Sequence, residues 1–222
     1  MEKVFMITED GSQTIYLPEM DEHYHSVHGA IQESLHIYIE QGLLKTNKNE
    51  LSVLEIGFGT GLNTFLTYCY VQKNNLVVKY YTLEKFPLNE VEFSQLNYPN
   101  NIFPEYSFIF NEIHKVEWNK KIDISENFQL EKIQADLLTF QFENVPQYDL
   151  VYYDAFAPGK QPEMWTKHIL HKVAAAIKPD GILVTYCAKG SVRRALSEAG
   201  FTMERIPGPI GKKEILRGKK TF

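Results

Sequence analysis

The sequence predicts an α/β fold built around a doubly wound, mostly parallel β-sheet. Two observations predict it, and the length of the chain adds how many domains to expect. From Leu51 onward, short β-rich runs alternate with helical patterns, as they do in proteins with a parallel sheet. One run passes directly into a glycine-rich turn at residues 57–61. The chain has 222 residues, of which 44% are hydrophobic, which suits one globular domain or one domain with a small appendage.

The first 48 residues are expected to form a hairpin and a helix that together act as a lid. A strand pair is predicted to turn at Asp10-Gly11. Apolar residues then recur at helical spacing between His25 and Gly42, which predicts a helix. Because the pattern changes at Leu51, we expect a second and larger domain over residues 49–222.

Strands and helices alternate along this larger domain. The predicted strands are 51–57, 77–83, 148–153 and 182–186, and the predicted helices are 61–72, 88–96, 163–177 and 191–199. Residues 97–134 interrupt the alternation and are expected to be an insertion, in which a strand pair turns at Glu126-Asn127. After Phe201, two β-rich runs flank Pro207-Gly208-Pro209, which predicts a C-terminal antiparallel hairpin.

The sharpest local signal is LEIGFGTGLN, residues 54–63, where a strand, a glycine turn and a helix follow one another. The free N–H groups of a helix N-terminus attract an anion, here a dinucleotide pyrophosphate or the carboxylate of an amino-acid-like ligand. The dinucleotide fingerprint requires glycine or alanine at position 62, and the residue there is leucine. A nicotinamide oxidoreductase is therefore disfavoured. An ordinary strand-to-helix turn remains the alternative to a binding loop.

With Glu55 two residues ahead of its first glycine, the loop resembles motif I of class I S-adenosylmethionine-dependent methyltransferases. The resemblance implies a Rossmann-like doubly wound sheet and S-adenosylmethionine as the cofactor. It also implies that Glu55 helps to hold the methionine ammonium group, directly or through water. The other cofactor-binding positions that it implies in this stretch are Gly57, Gly59, Gly61 and Asn63.

Two further acids stand where predicted strands end. Glu84 ends the second strand and is placed to accept hydrogen bonds from both ribose hydroxyls of a bound nucleoside. Asp136, followed by Leu137, ends a later strand and is placed to accept from the adenine amino group. In an open α/β sheet, ligands bind at the carboxyl ends of the strands, where these acids are expected to meet. Each acid also has a simpler interpretation as a solvated cap.

The candidate reaction centre follows the buried run 148–153, which ends in Asp154-Ala-Phe-Ala-Pro158. The position corresponds to motif IV of many methyltransferases. A carboxylate there can hold an attacking amine by hydrogen bonding and accept its proton. We therefore expect Asp154 to be catalytic; the alternative is an Asp that caps the following helix.

Several longer motifs make the chain similar to the MnmC methyltransferase family over nearly its whole length, with a weaker match near residues 97–134. They are Asp154–Pro158, Pro162–Thr166, Thr185–Gly190, Val192–Leu196, Ala199–Phe201, Pro207–Pro209 and Gly211–Glu214, preceded by Tyr24-x-Ser26 and Glu33-Ser34. The resemblance implies methyl transfer to the exocyclic amine of 5-aminomethyl(-2-thio)uridine at the wobble position of tRNA.

The same resemblance implies roles for individual residues. Tyr24, Ser26 and Glu33 are expected to cover the cofactor. The aromatic residues Phe156 and Trp165 are candidates for a base pocket, and the other expected substrate contacts are Pro158, Lys189, Arg193, Arg194, Lys212 and Lys213. As an alternative, either aromatic residue belongs to the hydrophobic core.

Partners also follow from the resemblance. Bifunctional family members carry a C-terminal FAD-dependent oxidase domain, and this chain ends at Phe222 without one, so a stand-alone methyltransferase is expected. Its substrate, the tRNA, would reach it from a separate oxidase or from upstream wobble-uridine modification enzymes. The alternatives are methyl transfer to another amine, and a non-catalytic cofactor-binding subunit that docks on a separate FAD oxidase.

The net charge of −5 conceals two unlike regions. Residues 1–158 carry a net charge of −13, whereas residues 159–222 carry +8 and contain every arginine of the chain. Arginine is well suited to binding phosphate, and a one-sided basic patch is typical of nucleic-acid binders. We therefore expect the cations near the C-terminus to gather beside Asp154: Lys189, Arg193, Arg194, Lys212, Lys213 and Arg217.

Other features narrow the class of protein. No apolar run reaches the roughly 18 residues that a membrane span requires, and the N-terminus has no signal-peptide pattern. The two cysteines, Cys69 and Cys187, do not form a C-x-x-C motif, so a cytoplasmic protein with free thiols is expected. No metal site is expected, because His23-x-His25 and His168-x-x-His171 lack further ligands nearby.

Overall fold

The computed structural model describes residues 2–142 and 147–221, which form two β-sheets and the helices that cover them. A three-stranded antiparallel sheet consists of β1 (Val4–Ile7), β2 (Gln13–Leu17) and β3 (Glu22–His23). The strands of the central sheet are β4 (Glu50–Ile56), β5 (Val77–Glu84), β6 (Lys121–Ser125), β7 (Phe128–Gln134), β8 (Tyr148–Tyr153), β9 (Ile177–Thr185), β10 (Phe201–Pro207) and β11 (Glu214–Lys220).

The central sheet has the strand order β10-β11-β9-β8-β4-β5-β7-β6. Its five inner strands, from β9 to β7, are parallel, and an antiparallel strand or hairpin is added at each end. The chain runs outward from β4 in one direction through β5 and then returns to β8 on the other side. This reversal creates the switch point at which open α/β sheets bind ligands.

Helices cover both faces of the central sheet. They are α1 (Ala30–Ser34), α2 (Leu62–Asn74), α3 (Glu90–Phe93), α4 (Tyr98–Asn101), α5 (Ser107–Lys115), α6 (Lys167–Ala175) and α7 (Gly190–Glu198). Successive strand residues point to opposite faces. Val53 accordingly packs in the cluster that contains α2 and α5, whereas Leu54 packs in the cluster that contains α6 and α7. The predicted doubly wound sheet is thereby confirmed.

The N-terminal segment packs on the α2 side of the sheet. Ile15 and Leu17 of β2 and Ile37, which follows α1, belong to the same buried cluster as Val53. After α1 the helix widens into a π-helical turn over Leu35–Glu40, in which the Gln41 N–H bonds to the His36 carbonyl at 3.1 Å. The N-terminal segment therefore shares its core with the central sheet.

Several boundaries differ from the sequence predictions. The helix predicted from residue 25 begins at Ala30, because Gly29 before it has a φ of +146°, which is not helical. The helix predicted over 163–177 ends at Ala175. Strand β9 already begins at Ile177, and Pro179 and Gly181 lie inside it at a shift in register with β8. A bulge accommodates the missing N–H of proline.

The predicted hairpins are confirmed. Strands β6 and β7 turn at Glu126-Asn127, and β10 pairs with β11 along seven residue pairs. The segment expected as an insertion, 97–134, contains α4, α5 and this β6–β7 hairpin. Its last strand, β7, pairs in parallel with β5, so the segment completes the central sheet.

Candidate active site

A cavity of about 940 Å³ lies at the carboxyl ends of β4, β5 and β8. The N-terminal segment covers it, and residues from the C-terminal hairpin turn close one side. The predicted site residues that line it are Tyr24, Ser26, Glu33, Gly57, Gly59, Asn63, Glu84, Asp136, Leu137, Asp154, Phe156 and Lys212. The structure thus brings together residues from both ends of the chain at the expected edge of the sheet.

Close backbone approach explains the first glycine of the loop. Gly57 has a φ of +93°, and a Cβ atom at this position would stand 2.7 Å from the Asp154 carbonyl oxygen. Gly59 lies under the Tyr24 ring, which a Cβ would approach to 3.1 Å. Gly61 precedes α2 and faces His114, away from the cavity. The loop therefore brings the chain close to two other walls of the site.

The two strand-end acids occupy the side of the cavity beyond the glycine loop. Glu84 accepts hydrogen bonds from the Gly59 N–H at 3.0 Å and the Phe86 N–H at 2.7 Å. Asp136 pairs with Lys85 at 2.9 Å and accepts from the Leu138 N–H at 2.9 Å. The hydrogen bond from Lys85 lowers the pKa of Asp136. Both carboxylates are thus held in place while lining the cavity.

Asp154 is a half-buried carboxylate that is held from one side by α2. Its Oδ2 accepts a hydrogen bond from the Asn63 side-chain amide at 2.8 Å. Burial raises the pKa of Asp154 to about 7, against the opposing effects of hydrogen bonding from Tyr38 and Asn63. Glu33 raises this pKa further and Lys212 lowers it. A carboxylate with these properties can exchange a proton near neutral pH.

The N-terminal cover is tied to the rest of the site by polar contacts. Glu33 accepts from the Ser26 N–H at 2.9 Å and pairs with the Lys212 ammonium at 2.5 Å. His25 contacts the Thr60 hydroxyl of the glycine loop at 2.7 Å. These contacts connect residues near position 30 with the C-terminal hairpin turn across the cavity.

Two of the predicted site residues, Glu55 and Trp165, do not line the cavity. Glu55 is fully buried and does not line the cavity; it accepts from the Thr64 hydroxyl at 3.0 Å, and burial raises its pKa to about 8. Strand alternation points it under α2, on the face that Val53 occupies. Its expected role of holding the methionine ammonium group, directly or through water, stays a prediction that the cavity lining does not support. Trp165 is also buried and donates to the Phe156 carbonyl at 2.7 Å. It supports Phe156 from the core, which is the alternative interpretation given for this residue, and it is absent from the cavity lining.

Other predicted substrate residues lie outside the cavity lining. Pro158 is half-buried beyond the lining residues. Arg217 is held by Glu204 at 2.7 Å and by Gln41 at 2.9 Å, so it does not join a free basic patch. Glu204 on the neighbouring strand β10 therefore keeps Arg217 out of the predicted patch.

The remaining predicted cations are not among the residues that line the cavity, so their gathering beside Asp154 stays a prediction. Lys213 is exposed and follows Lys212, whose ammonium lies 5.1 Å from the centre of the Tyr186 ring. Lys189 is exposed three residues after Tyr186, which lines the cavity. Arg193 and Arg194 are on the first turns of α7, within about 10 Å of Lys189 at the usual helical rise.

Sequence reasoning missed two tyrosines beside Asp154. The Tyr186 hydroxyl donates to the Ala155 carbonyl at 2.8 Å and so fixes the chain next to Asp154. Tyr38 is buried and faces Asp154 from the π-helical turn. Tyr186 belongs to the Thr185–Gly190 motif of the family. Tyr38 lies in a segment whose sequence showed only the helical spacing of apolar residues.

Comparison with known proteins decides the family. Residues 99–221, more than half of the chain, match the family described as S-adenosyl-L-methionine-dependent methyltransferase. The chain belongs to this family of methyltransferases. S-adenosylmethionine is therefore its cofactor, as predicted. The cavity fits that assignment, since a Cβ atom at Gly57 would clash with the Asp154 carbonyl and one at Gly59 would crowd the Tyr24 ring, and both of those residues line the cavity.

Curated relatives of this methyltransferase resemble it across most of its length. It is 30% identical to the tRNA 5-methylaminomethyl-2-thiouridine biosynthesis bifunctional protein MnmC of Pseudomonas entomophila, over 91% of the chain and 33% of the relative. It is 31% identical to the protein of the same name from Leptospira interrogans, over 96% of the chain and 35% of the relative. The chain thus spans about a third of the length of these relatives.

Solved structures support the fold of the methyltransferase. MnmC2 from Aquifex aeolicus is 27% identical, with a TM-score of 0.81, and the match covers 98% of this chain and 69% of the other. Spermidine synthase from Thermotoga maritima is 14% identical, with a TM-score of 0.53 over 99% of this chain and 72% of the other, which indicates a shared fold only.

The described residues also bear on membrane and metal binding. In residues 2–142 and 147–221 of the methyltransferase, no helix is both long and apolar enough to cross a membrane. Within those same two ranges, no three His, Cys, Asp or Glu side chains gather as they would around a metal ion.

Proposed function

We propose that this methyltransferase methylates the exocyclic amine of 5-aminomethyl(-2-thio)uridine at the wobble position of tRNA. The observation that carries the proposal is the half-buried Asp154 carboxylate, held by Asn63 at the wall of the cofactor cavity. The names of the MnmC relatives supply the substrate class. A tRNA substrate agrees with the cytoplasmic location predicted from the cysteines.

Cofactor binding is assigned to the glycine loop and the strand-end acids. The backbone at Gly57 and Gly59 leaves room for the methionine portion, Glu84 accepts from the ribose hydroxyls, and Asp136 with Leu137 borders the adenine. Tyr24 and Ser26 cover this ligand from the N-terminal segment. When bound, S-adenosylmethionine supplies a methyl group activated on a sulfonium sulfur.

Asp154 has two tasks in this proposal. Its carboxylate binds the substrate amine and orients the nitrogen lone pair, which is the main requirement for transfer of an already activated group. It also accepts the proton that the nitrogen loses when the new carbon–nitrogen bond forms. A pKa of about 7 matches this role, because a general base acts best when its pKa lies near the working pH.

The target base and the backbone phosphates of the tRNA would bind at different surfaces of the protein. The Tyr24 and Phe156 rings, 5.1 Å apart and nearly perpendicular, border the outer cavity and provide apolar surface for an unstacked base. Lys189, Arg193 and Arg194 would contact backbone phosphates beside it. The reaction also requires an activity that first produces the aminomethyl group, on the same polypeptide or on another.

The test is a methyl-transfer assay with purified protein, labelled S-adenosylmethionine, and tRNA from a strain blocked at the aminomethyl stage. We expect label in the wobble nucleoside, and none with tRNA that lacks the aminomethyl group. Asp154→Asn should abolish transfer, whereas Asp123→Asn, in the β6–β7 hairpin, should not. Transfer only to small amines would indicate another substrate, and cofactor binding without any transfer would indicate a non-catalytic subunit.

A further inference from the structure

Tyr38 is a buried tyrosine whose hydroxyl group lacks a conventional partner. Its ring packs on Tyr152 with centroids 5.1 Å apart. Among residues 2–142 and 147–221, no hydrogen bond of normal geometry is made by its hydroxyl oxygen. Leaving a buried hydroxyl unpaired costs free energy. Hydrophobic packing alone therefore does not explain why a tyrosine, with its hydroxyl group, occupies this position.

The π-helical turn determines where this hydroxyl points. The bond from Gln41 to His36 spans five residues, one more than in an α-helix. Tyr152, which supports the Tyr38 ring, shares its side of β8 with Asp154 two positions later. The widened turn thus aims Tyr38 at the end of β8.

Asp154 is the carboxylate that directly follows this end of β8. Interaction with the hydroxyl lowers the pKa of Asp154, and the charge of Asp154 adds to the burial that raises the pKa of Tyr38. Asn63 approaches the same carboxylate from α2. The carboxylate therefore has a bonded amide donor on α2 and, on the π-helical turn, a hydroxyl group left unpaired among the residues that the structure describes.

We propose that Tyr38 is a positioning residue for Asp154, whose hydroxyl donates to the carboxylate and, with Asn63, orients it toward the substrate amine. The inference rests on the proposed function, in which Asp154 binds that amine. Two donors leave the remaining carboxylate lone pairs for the substrate. They also favour the charged form of Asp154, which is the form that accepts a proton.

Other groups around Asp154 also affect its ionisation, and they stay unchanged when Tyr38 is altered. They are Glu33 of α1, Lys212 of the β10–β11 turn, Tyr186 after β9, and Glu55 of β4. A change at Tyr38 that removes only the hydroxyl therefore isolates its own effect. Tyr38→Phe makes this change and keeps the ring on Tyr152.

Tyr148→Phe is the matched control. Tyr148 is also fully buried and its hydroxyl oxygen makes no hydrogen bond within the described parts of the chain. It lies at the other end of β8, about 20 Å from Asp154 at the usual rise per strand residue. The two variants lose the same atom from comparable surroundings. Only the Tyr38 hydroxyl, however, is directed toward Asp154, the candidate general base.

The experiment measures kcat and KM for methyl transfer against pH in the wild type and both variants. For Tyr38→Phe we expect kcat at neutral pH to fall about tenfold, with the acid limb of the profile displaced to higher pH and KM for the cofactor unchanged. Tyr148→Phe should leave the limb in place. A Tyr38→Phe profile whose limb coincides with that of the wild type would overturn the inference.

A second measurement needs no substrate. Carbon-13 NMR of aspartate carboxyl groups, assigned with Asp154→Asn, should show Asp154 titrating at higher pH in Tyr38→Phe. Replacing Tyr38 with a ring-fluorinated tyrosine, a stronger donor, should move the titration downward. Shifts in both directions without tRNA methylation would uphold the positioning role and refute the proposed function. Methylation without any such shift would refute the positioning role alone.

Discussion

The side-chain amide of Asn63 donates to the Asp154 carboxylate at 2.8 Å, although the two residues are 91 positions apart in the sequence. Asn63 stands in the first turn of α2, directly after the glycine loop. Asp154 follows β8, and its carbonyl oxygen faces Gly57. The loop assigned to the cofactor and the carboxylate assigned to the amine are therefore joined by side-chain and backbone contacts.

Removing the Asn63 amide should impair methyl transfer without unfolding the protein. In Asn63→Ala, Asp154 loses a donor that lowers its pKa, so we expect kcat to fall about tenfold or more and the acid limb to move to higher pH. Steady-state kinetics against pH would measure both effects. Asn74→Ala, at the far end of α2, is the control, and equal effects of the two changes would contradict the role of Asn63.

Adding a methyl group at Gly57 should disturb the loop and destabilise the fold. The Cβ would clash with the Asp154 carbonyl and would require a strained positive φ. We therefore expect the free energy of unfolding to fall by about 1–3 kcal/mol. Calorimetry should show the lower Tm and isothermal titration the weaker binding of S-adenosylmethionine. Gly159→Ala, where a Cβ meets nothing within 4 Å, should change neither property.

The cations of α7 should affect tRNA binding more than catalysis. Changing Lys189, Arg193 and Arg194 together to alanine should raise KM for tRNA about tenfold and reduce its salt dependence, because fewer phosphates are neutralised. The value of kcat should stay within about twofold. A control triple variant of the ion-paired Lys73, Lys120 and Lys219 should bind tRNA normally; if it weakens binding equally, the effect is one of net charge alone.

Glu55 should make the folded protein less stable as pH rises. Its pKa is about 8 in the folded state and 4.5 ordinarily, so the folded form retains a proton that the unfolded chain releases. The wild-type free energy of unfolding should therefore decrease between about pH 5 and 8. Chemical denaturation should show that Glu55→Gln becomes increasingly more stable than the wild type as the pH rises over this range. A constant difference would show that Glu55 is not protonated in the fold.

Much of the sheet was predictable because it depends on local pattern. The glycine loop after β4 and the acids Glu84 and Asp136 at strand ends combined a recognisable spacing with a topology that collects strand ends at one edge. Asp154 was found for the same reason. The β6–β7 hairpin also followed from its alternating residues and its Glu126-Asn127 turn.

The remaining features depend on contacts that no local pattern reports. A shift of one residue along β4 decides whether Glu55 faces the ligand or α2. Arg217 does not join the basic patch because it pairs with a carboxylate on β10. The π-helical turn that aims Tyr38 has the same apolar spacing as an α-helix. Burial of Trp165 depends on packing between Tyr153 and Tyr186.

The most direct test of the account is mass analysis of the wobble nucleoside after reaction of aminomethyl-containing tRNA with wild-type protein and with Asp154→Asn. The account predicts that the wild type adds one methyl group, that fragmentation places it on the exocyclic nitrogen, and that Asp154→Asn adds almost none while still binding S-adenosylmethionine. A methyl group on the ring or the ribose, or full activity of Asp154→Asn, would contradict it.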